Sequence, residues 1–222
     1  MDSDFPGEMD SGTAGAHGVR GIRIRTAVLV TALAAILGAS VGVLGGVAFS
    51  RDGYRDASPE AGFARDMSSH HAQAVEMGML TQARSTDPEV RTLGGDIALT
   101  QHGQIGIMQT WLRDWELLPT GAQPRMAWMG HDSGHASGWL MPGMATSADV
   151  DRLRTATGRD FDVLWAQLMM RHHLGGIVMA EAALRLSDDE QVRWLANAMK
   201  TGQQSEIGAL GHVLDRNGAK PI

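Results

Sequence analysis

The chain contains an internal duplication: a shift of 102 positions, which places residue 70 on residue 172, aligns the part after Ser58 with itself without a gap. Among the matched positions, Ala64, Met67, His70, His71 and Met77 fall on Ala166, Met169, His172, His173 and Met179. An ungapped register of this kind requires elements of equal length in both copies, so the fold consists of two equivalent halves.

Each half has the start and stop signals of a helical hairpin. In the first half, Ser58 is an N-cap before a proline, and the helical pattern runs to about Arg84. Asp87, also before a proline, begins a second helix that lasts to about Leu118. The first half therefore consists of two long helices joined by a short turn.

In the second half, Asp160 begins a helix that runs to about Leu186. Ser187 and Glu190 have the spacing of a capping box for a further helix, which ends at Asn217-Gly218. No strand pattern occurs, so the sequence predicts an all-α four-helix bundle made of two duplicated helical hairpins. Repeat one covers residues 58–118, the linker 119–159 and repeat two 160–218, with a short helix in the linker over about 147–157.

The residues before the bundle predict a membrane anchor. Residues 1–19 are acidic and rich in small residues, which indicates a disordered tail, and residues 20–50 begin with three arginines. Residues 26–50 then carry no charge, a length sufficient to cross a bilayer as one transmembrane helix with the bundle outside the cytoplasm. A long cleavable signal is the alternative. Gly38, Gly42 and Gly46 have the GxxxG spacing that joins membrane helices, so a homodimer is possible.

Composition narrows the chemistry. The chain has no cysteine, which excludes disulfides, thiolate metal sites and covalent c-type haem. A net charge of −6 gives no basic surface for nucleic acid, and we expect no nucleic-acid partner. The 14 methionines and 9 histidines instead supply the thioether and imidazole ligands typical of soft metal ions.

Helical phase places these ligands together. At 100° per residue, the methionines and paired histidines of the first helix fall on or beside one apolar stripe, and the second copy has the same phase. The facing helices present Gln101, Gln203 and Glu206 towards the same interior, whereas His102 and His212 fall off the buried faces and are expected in solvent.

This donor set predicts a copper site, with Cu(I) favoured, because Mg²⁺, Ca²⁺ or Mn²⁺ would need several carboxylates. The candidate ligands are Met67, His70, His71 and Met77 in repeat one and Met169, His172, His173 and Met179 in repeat two. Neighbouring histidines point about 100° apart on a helix, so we expect one direct ligand per pair and the other ring bonded to a neighbouring helix or a second ion. Asp66, one turn before His70, is expected to orient that ring; Leu168 replaces it in repeat two.

The linker is a second candidate site. It contains Met126, Met129, His131, His135, Met141 and Met144, with Trp128 and Trp139 between them. These side chains could gather around Cu(I), or the segment could pack as a methionine- and tryptophan-rich flap over the end of the bundle. The sequence leaves both possibilities open.

The repeated helices carry the pattern Met-x-x-His-His-x5-Met, and the last helix carries Gln203-x-x-Glu206-Ile207. In these motifs the chain resembles the bacterial domain-of-unknown-function family 305 over about residues 58–218. The resemblance implies a secreted or membrane-anchored ferritin-like bundle, with copper binding in some members. Gln104 stands where the first copy should have the glutamate, a departure from the pattern.

We therefore expect an envelope-facing protein that binds or buffers copper, has a metal ion as its partner, and catalyses no reaction of its own. The structural alternative is that the buried histidines are hydrogen-bonded to Gln101, Gln203 or Glu206 and the methionines only fill the core. A metal-free interaction module and a bundle holding non-covalent haem are further alternatives. A ferritin-like di-iron oxidase is disfavoured because no Glu-x-x-His motif occurs.

Overall fold

The computed structural model describes residues 54–130 and 140–222, and every regular element within these two ranges is helical. The long helices are α1 (Pro59–Arg84), α2 (Pro88–Asp114), α4 (Gly158–Leu186) and α5 (Glu190–Arg216); α3 (Ser147–Thr155) is short, and a 3₁₀ turn covers Ala127–Met129. The all-α prediction and the two equivalent hairpins are confirmed.

The tail 1–19, the anchor 20–50 and its glycines Gly38, Gly42 and Gly46 lie outside the described residues, so those predictions stand untested. Within residues 54–130 and 140–222, no helix is long and apolar enough to cross a bilayer.

Helix starts follow the sequence signals with two exceptions. Helix α4 begins at Gly158, two residues before the predicted Asp160, which lies in its first turn, and the start of α5 is capped by a different residue than predicted. The side chain of Ser58 accepts a hydrogen bond from the Ala61 amide, and Asp87 does the same for the first turn of α2. The predicted capping box at Ser187 and Glu190 is wrong: Ser187 ends α4, and the Asp189 carboxylate caps α5 by accepting from Val192 N–H. A carboxylate two residues further along reaches the free amides of the first turn, so the serine is not needed there.

Helix α2 ends four residues before the predicted Leu118, at Asp114. Glu116 has φ +59° and closes a Schellman motif in which Leu117 N–H donates to the Leu112 carbonyl. Gly218 occupies the equivalent position after α5, with φ +63°. The two hairpins therefore end alike, although only the second has the glycine that marks such an end in a sequence.

The bundle is assembled from its two hairpins. Helix α1 packs along α2, α4 packs along α5, and the hairpins meet mainly through α1 and α4, which run antiparallel. Two apolar clusters result: one contains Met77 and Met169, and the other contains Met67 and Met179. The four histidines lie along α1 and α4 between the methionines of these clusters.

Residues 140–146, here called the strap, cross the contact between α1 and α4. The side-chain amide of Gln73 binds both polar backbone groups of Ala145 in the strap. It accepts from the Ala145 N–H at 2.7 Å and donates to the Ala145 carbonyl at 3.0 Å. Gly143, with φ +75°, lies so close to α4 that a Cβ there would be 2.3 Å from the Arg171 carbonyl oxygen. These contacts place the Pro142 carbonyl beside His70.

Candidate metal centre

The four paired histidines form one layer in the middle of the bundle. His70, His71, His172 and His173 are all fully buried, and we call them the histidine layer. The rings of His70 and His172 stack across the α1–α4 contact with centroids 3.7 Å apart and planes 32° apart. The outer rings lie 6.4 Å and 6.3 Å from their chain neighbours. The duplication therefore brings both copies of the motif to a single place.

Every ring in the layer has a hydrogen-bond partner at Nε2. His70 faces the Pro142 carbonyl at 3.0 Å and His172 faces the His70 carbonyl at 3.0 Å. His71 faces Gln104 Oε1 at 2.7 Å, and His173 faces the Glu206 carboxylate at 2.6 Å. A carbonyl or carboxylate only accepts, so each Nε2 carries a hydrogen; in a neutral ring, Nδ1 then keeps its lone pair.

Those four Nδ1 atoms are buried and have no hydrogen-bond partner in the described part of the chain. The amides of Gln101 and Gln203 are also buried there without partners. The alternative that these two glutamines satisfy the histidines is therefore wrong, whereas the Glu206 bond to His173 is confirmed. An unsatisfied buried polar group costs about 1–3 kcal/mol, so the layer costs stability unless a further group binds it.

Burial keeps His70, His71 and His172 neutral. It lowers the pKa of His70 to about 4 and that of His71 to about 3, and it lowers the pKa of His172 well below its usual range. Hydrogen bonds to Pro142 and Gln104 partly oppose the shift in His70 and His71. A neutral imidazole with a free Nδ1 is the form that coordinates a metal ion.

The histidines of the layer are not arranged so that three or more of them surround one ion. Within residues 54–130 and 140–222, no three histidine, aspartate or glutamate side chains are grouped to hold one ion. An ion bound here would draw on fewer imidazoles, with thioethers as the remaining soft donors.

The methionines do not group by repeat as the sequence predicted. Because α1 and α4 are antiparallel, Met67 lies in the same apolar cluster as Met179, and Met77 in the same cluster as Met169. The cluster of Met67 and Met179 also contains buried Met108, Met141 and Met199 and the half-buried Met126, Met129 and Met144. We call this cluster of eight methionines the thioether end; the opposite cluster has three, namely Met77, Met169 and Met170.

Asp66 does not orient His70. Its Oδ2 atom accepts from the Met126 N–H at 2.7 Å and from Trp128 Nε1 at 3.0 Å, so it fixes the start of the linker to α1. Burial raises the pKa of Asp66, and these two hydrogen bonds oppose the shift. The partner of His70 is a strap carbonyl, which sequence analysis could not identify because any residue type supplies a carbonyl.

The described part of the linker packs as a flap. Trp128 sits edge-on against Phe63 at 5.8 Å, directly over Gly62. His131, His135 and Trp139 lie outside the described residues, so a copper site in the linker remains a prediction. His102 and His212 are exposed, as expected from their helical phase.

Comparison with known proteins agrees with these features. The chain matches the domain of unknown function DUF305 over residues 60–214. A Streptomyces coelicolor DUF305 protein, described as a candidate secreted protein, is 42% identical over 76% of this chain and 99% of its own, with a TM-score of 0.71. A DUF305 fragment from Deinococcus radiodurans is 31% identical over 71% of this chain and 96% of its own, with a TM-score of 0.59.

A third solved structure, CopM in its Cu(II)-bound form, is 26% identical over 72% of this chain and 97% of its own, with a TM-score of 0.55. No curated protein matches. The family match spans most of the chain and includes all four long helices and the histidine layer. The chain therefore belongs to the DUF305 family.

Proposed function

We propose that this protein binds and buffers copper as Cu(I) outside the cytoplasm, with the histidine layer as its site. One observation carries the proposal: four fully buried imidazoles have Nδ1 atoms without a hydrogen-bond partner in the described residues. Each ring is held by an acceptor at Nε2, which is the usual arrangement behind a metal-bound histidine. Binding an ion would recover the stability that the unsatisfied atoms cost.

The donor chemistry selects a soft ion. The histidine layer supplies imidazole nitrogens, and the apolar clusters on either side of it supply thioethers. The one carboxylate that bonds to a ring of the layer in the described residues is that of Glu206, so Cu(I) is favoured over hard divalent ions. CopM, which shares this fold, has been solved with Cu(II), with Cu(I) and with Ag. The description of the Streptomyces relative as secreted supports a location outside the cytoplasm. The predicted anchor at 26–50 would hold the bundle there.

We propose buffering rather than catalysis because the rings are completely enclosed. A catalytic ion must admit a substrate to its coordination sphere, as open catalytic metal sites do. An ion held between these rings would be shielded from any second reactant. Storage and release of the ion itself need no such access.

The test is competition of the full-length protein, without a polyhistidine tag, against a Cu(I) chelator and separately against a Zn(II) chelator. We expect tighter retention of Cu(I). The double variant His172→Ala/His173→Ala should lose at least about tenfold in Cu(I) affinity, or 1.4 kcal/mol of binding free energy. The matched control is His102→Ala/His212→Ala, which removes two exposed rings and should bind as the unmodified protein does. Circular dichroism checks that both variants stay helical.

A metal-free interaction module is the second candidate, and the lack of three grouped donor side chains in the described ranges favours it. It predicts no copper retention and an unchanged melting temperature when Cu(I) is added. Equal Cu(I) loss in both double variants, or stronger retention of zinc than of copper, would also contradict the proposal.

A further inference from the structure

We infer that the two halves of the histidine layer are not equivalent, and that Glu206 makes His173 the stronger metal ligand of the outer pair. Glu206 acts as a positioning residue: it touches the ring of His173, and only through that ring would it act on an ion. The inference rests on the proposed function and adds to it which half of the layer dominates binding.

The hydrogen-bond acceptors of the two outer histidines, His71 and His173, differ in charge but hardly in geometry. His71 and His173 are both fully buried, and each donates from Nε2 to a side chain 33 residues further along. The bond lengths are nearly equal, 2.7 Å to Gln104 and 2.6 Å to Glu206. The two acceptors have the same length and shape, but Glu206 is a carboxylate and Gln104 a neutral amide.

In the described residues, Glu206 forms no ion pair with a lysine or arginine. Its side chain is only 22% exposed, and within residues 54–130 and 140–222 no lysine or arginine lies within ion-pair distance of it. Asp96 on α2 is close enough for Glu206 to contribute to the raised pKa of that aspartate, after the larger effect of burial. No lysine or arginine in the described residues therefore offsets the charge of Glu206, and Asp96 adds a second carboxylate near it. The other half lacks this carboxylate as well, because position 198, which corresponds to Asp96 in the duplication, is alanine.

A cation at Nδ1 of His173 would supply the missing positive charge. A carboxylate on the far nitrogen also fixes the tautomer and increases electron density at the ligating nitrogen; such partners contribute about 10- to 100-fold in metal affinity. The amide of Gln104 fixes the tautomer of His71 without adding charge.

The test is Cu(I) affinity, measured by chelator competition on the full-length protein, in four forms: unmodified, Glu206→Gln, Gln104→Glu, and the double exchange. Each substitution keeps the size of the side chain and an acceptor oxygen. We expect Glu206→Gln to weaken binding by about tenfold or more and Gln104→Glu to strengthen it. The double exchange should restore most of the affinity. In the unmodified protein His173→Ala should weaken binding more than His71→Ala, and in the double exchange this order should reverse.

A second readout needs no metal. A long-range ¹H–¹⁵N spectrum of the metal-free protein should show the Nε2 proton of His173 further downfield than that of His71, because its acceptor is a carboxylate. The double exchange should interchange these positions.

Cu(I) affinity unchanged by Glu206→Gln, in a protein that binds Cu(I), would overturn this inference and leave the proposed function intact. Weakening that the double exchange does not restore would mean that Glu206 acts by packing, which also overturns it. Absence of Cu(I) binding by the unmodified protein would overturn the proposed function together with the inference.

Discussion

Among individual residues, the two inner histidines show how the duplication is broken. His172 donates to the backbone carbonyl of His70, so exact symmetry would have His70 donate to the carbonyl of His172. His70 donates instead to the carbonyl of Pro142 in the strap. One strap cannot bind both inner rings in the same way. The inner histidines therefore differ in the identity of their acceptors, whereas the outer histidines differ in the charge of theirs.

Asp66 gives a prediction at the same scale. Asp66→Ala removes the acceptor for Met126 N–H and Trp128 Nε1, which should destabilise the protein by about 1–3 kcal/mol. Arg125 is already exposed, and release of the linker should make trypsin cleave after it faster, so limited proteolysis measures the effect. Asp66→Asn keeps an acceptor oxygen and should be cleaved more slowly than the alanine variant. A loss of Cu(I) affinity in Asp66→Ala without faster cleavage would mean that Asp66 serves His70 after all.

Burial of the four histidines could be predicted from sequence, but their partners could not. Helical phase depends only on neighbours in the same helix, and it placed His70 and His71 beside the apolar stripe correctly. The acceptor of His70 is 72 residues away in an irregular segment, where no periodicity indicates what lies nearby. Asp66 was assigned to His70 because it lies one turn away, but a tryptophan and a backbone amide from the linker compete for its carboxylate.

Among the elements, the strap depends on two positions that correspond in the duplication. Gln73 in α1 and Gly175 in α4 occupy equivalent places in the two repeats, and each contacts one part of the strap. Gln73 binds it by hydrogen bonds, while Gly175 admits it by having no side chain: a Cβ there would be 2.0 Å from the Pro142 carbonyl oxygen. The first repeat therefore binds the strap through Gln73, and the second repeat leaves room for it at Gly175.

Gly175→Ala should displace the strap, because the clash is with backbone atoms that no rotamer change can move. We expect a loss of about 1–3 kcal/mol in the free energy of unfolding, measured by urea denaturation. Gly103→Ala is the control. In residues 54–130 and 140–222, no atom beyond its chain neighbours and its own helix backbone lies within 4 Å of a Cβ at Gly103, and alanine should stabilise the exposed helix by about 0.5–1 kcal/mol. Equal effects of the two substitutions would show that the strap does not rest on Gly175.

For the molecule as a whole, the main feature that the pattern of a single helix does not predict is the distribution of the methionines. In each repeat, one methionine of the repeated motif precedes the histidines and another follows them, which suggests a separate site for each repeat. Antiparallel packing of α1 and α4 regroups these methionines across the repeats, and the linker adds four more to one side only. The bundle therefore has one end rich in thioethers, and the linker that provides half of them is the part without a duplicate.

This asymmetry predicts which methionines assist copper binding. Met67→Leu/Met179→Leu removes two thioethers next to the buried Met141, and it should weaken Cu(I) binding more than Met77→Leu/Met169→Leu does at the opposite end. Leucine is close to methionine in volume and costs less than about 1.5 kcal/mol in a core, so both variants should fold. Chelator competition with Cu(I) measures the affinities, and Zn(II), which uses thioethers poorly, should not distinguish the variants. If both pairs lower Cu(I) affinity equally, the ion lies midway between the clusters; if neither does, the methionines are core residues only and the imidazoles bind copper alone.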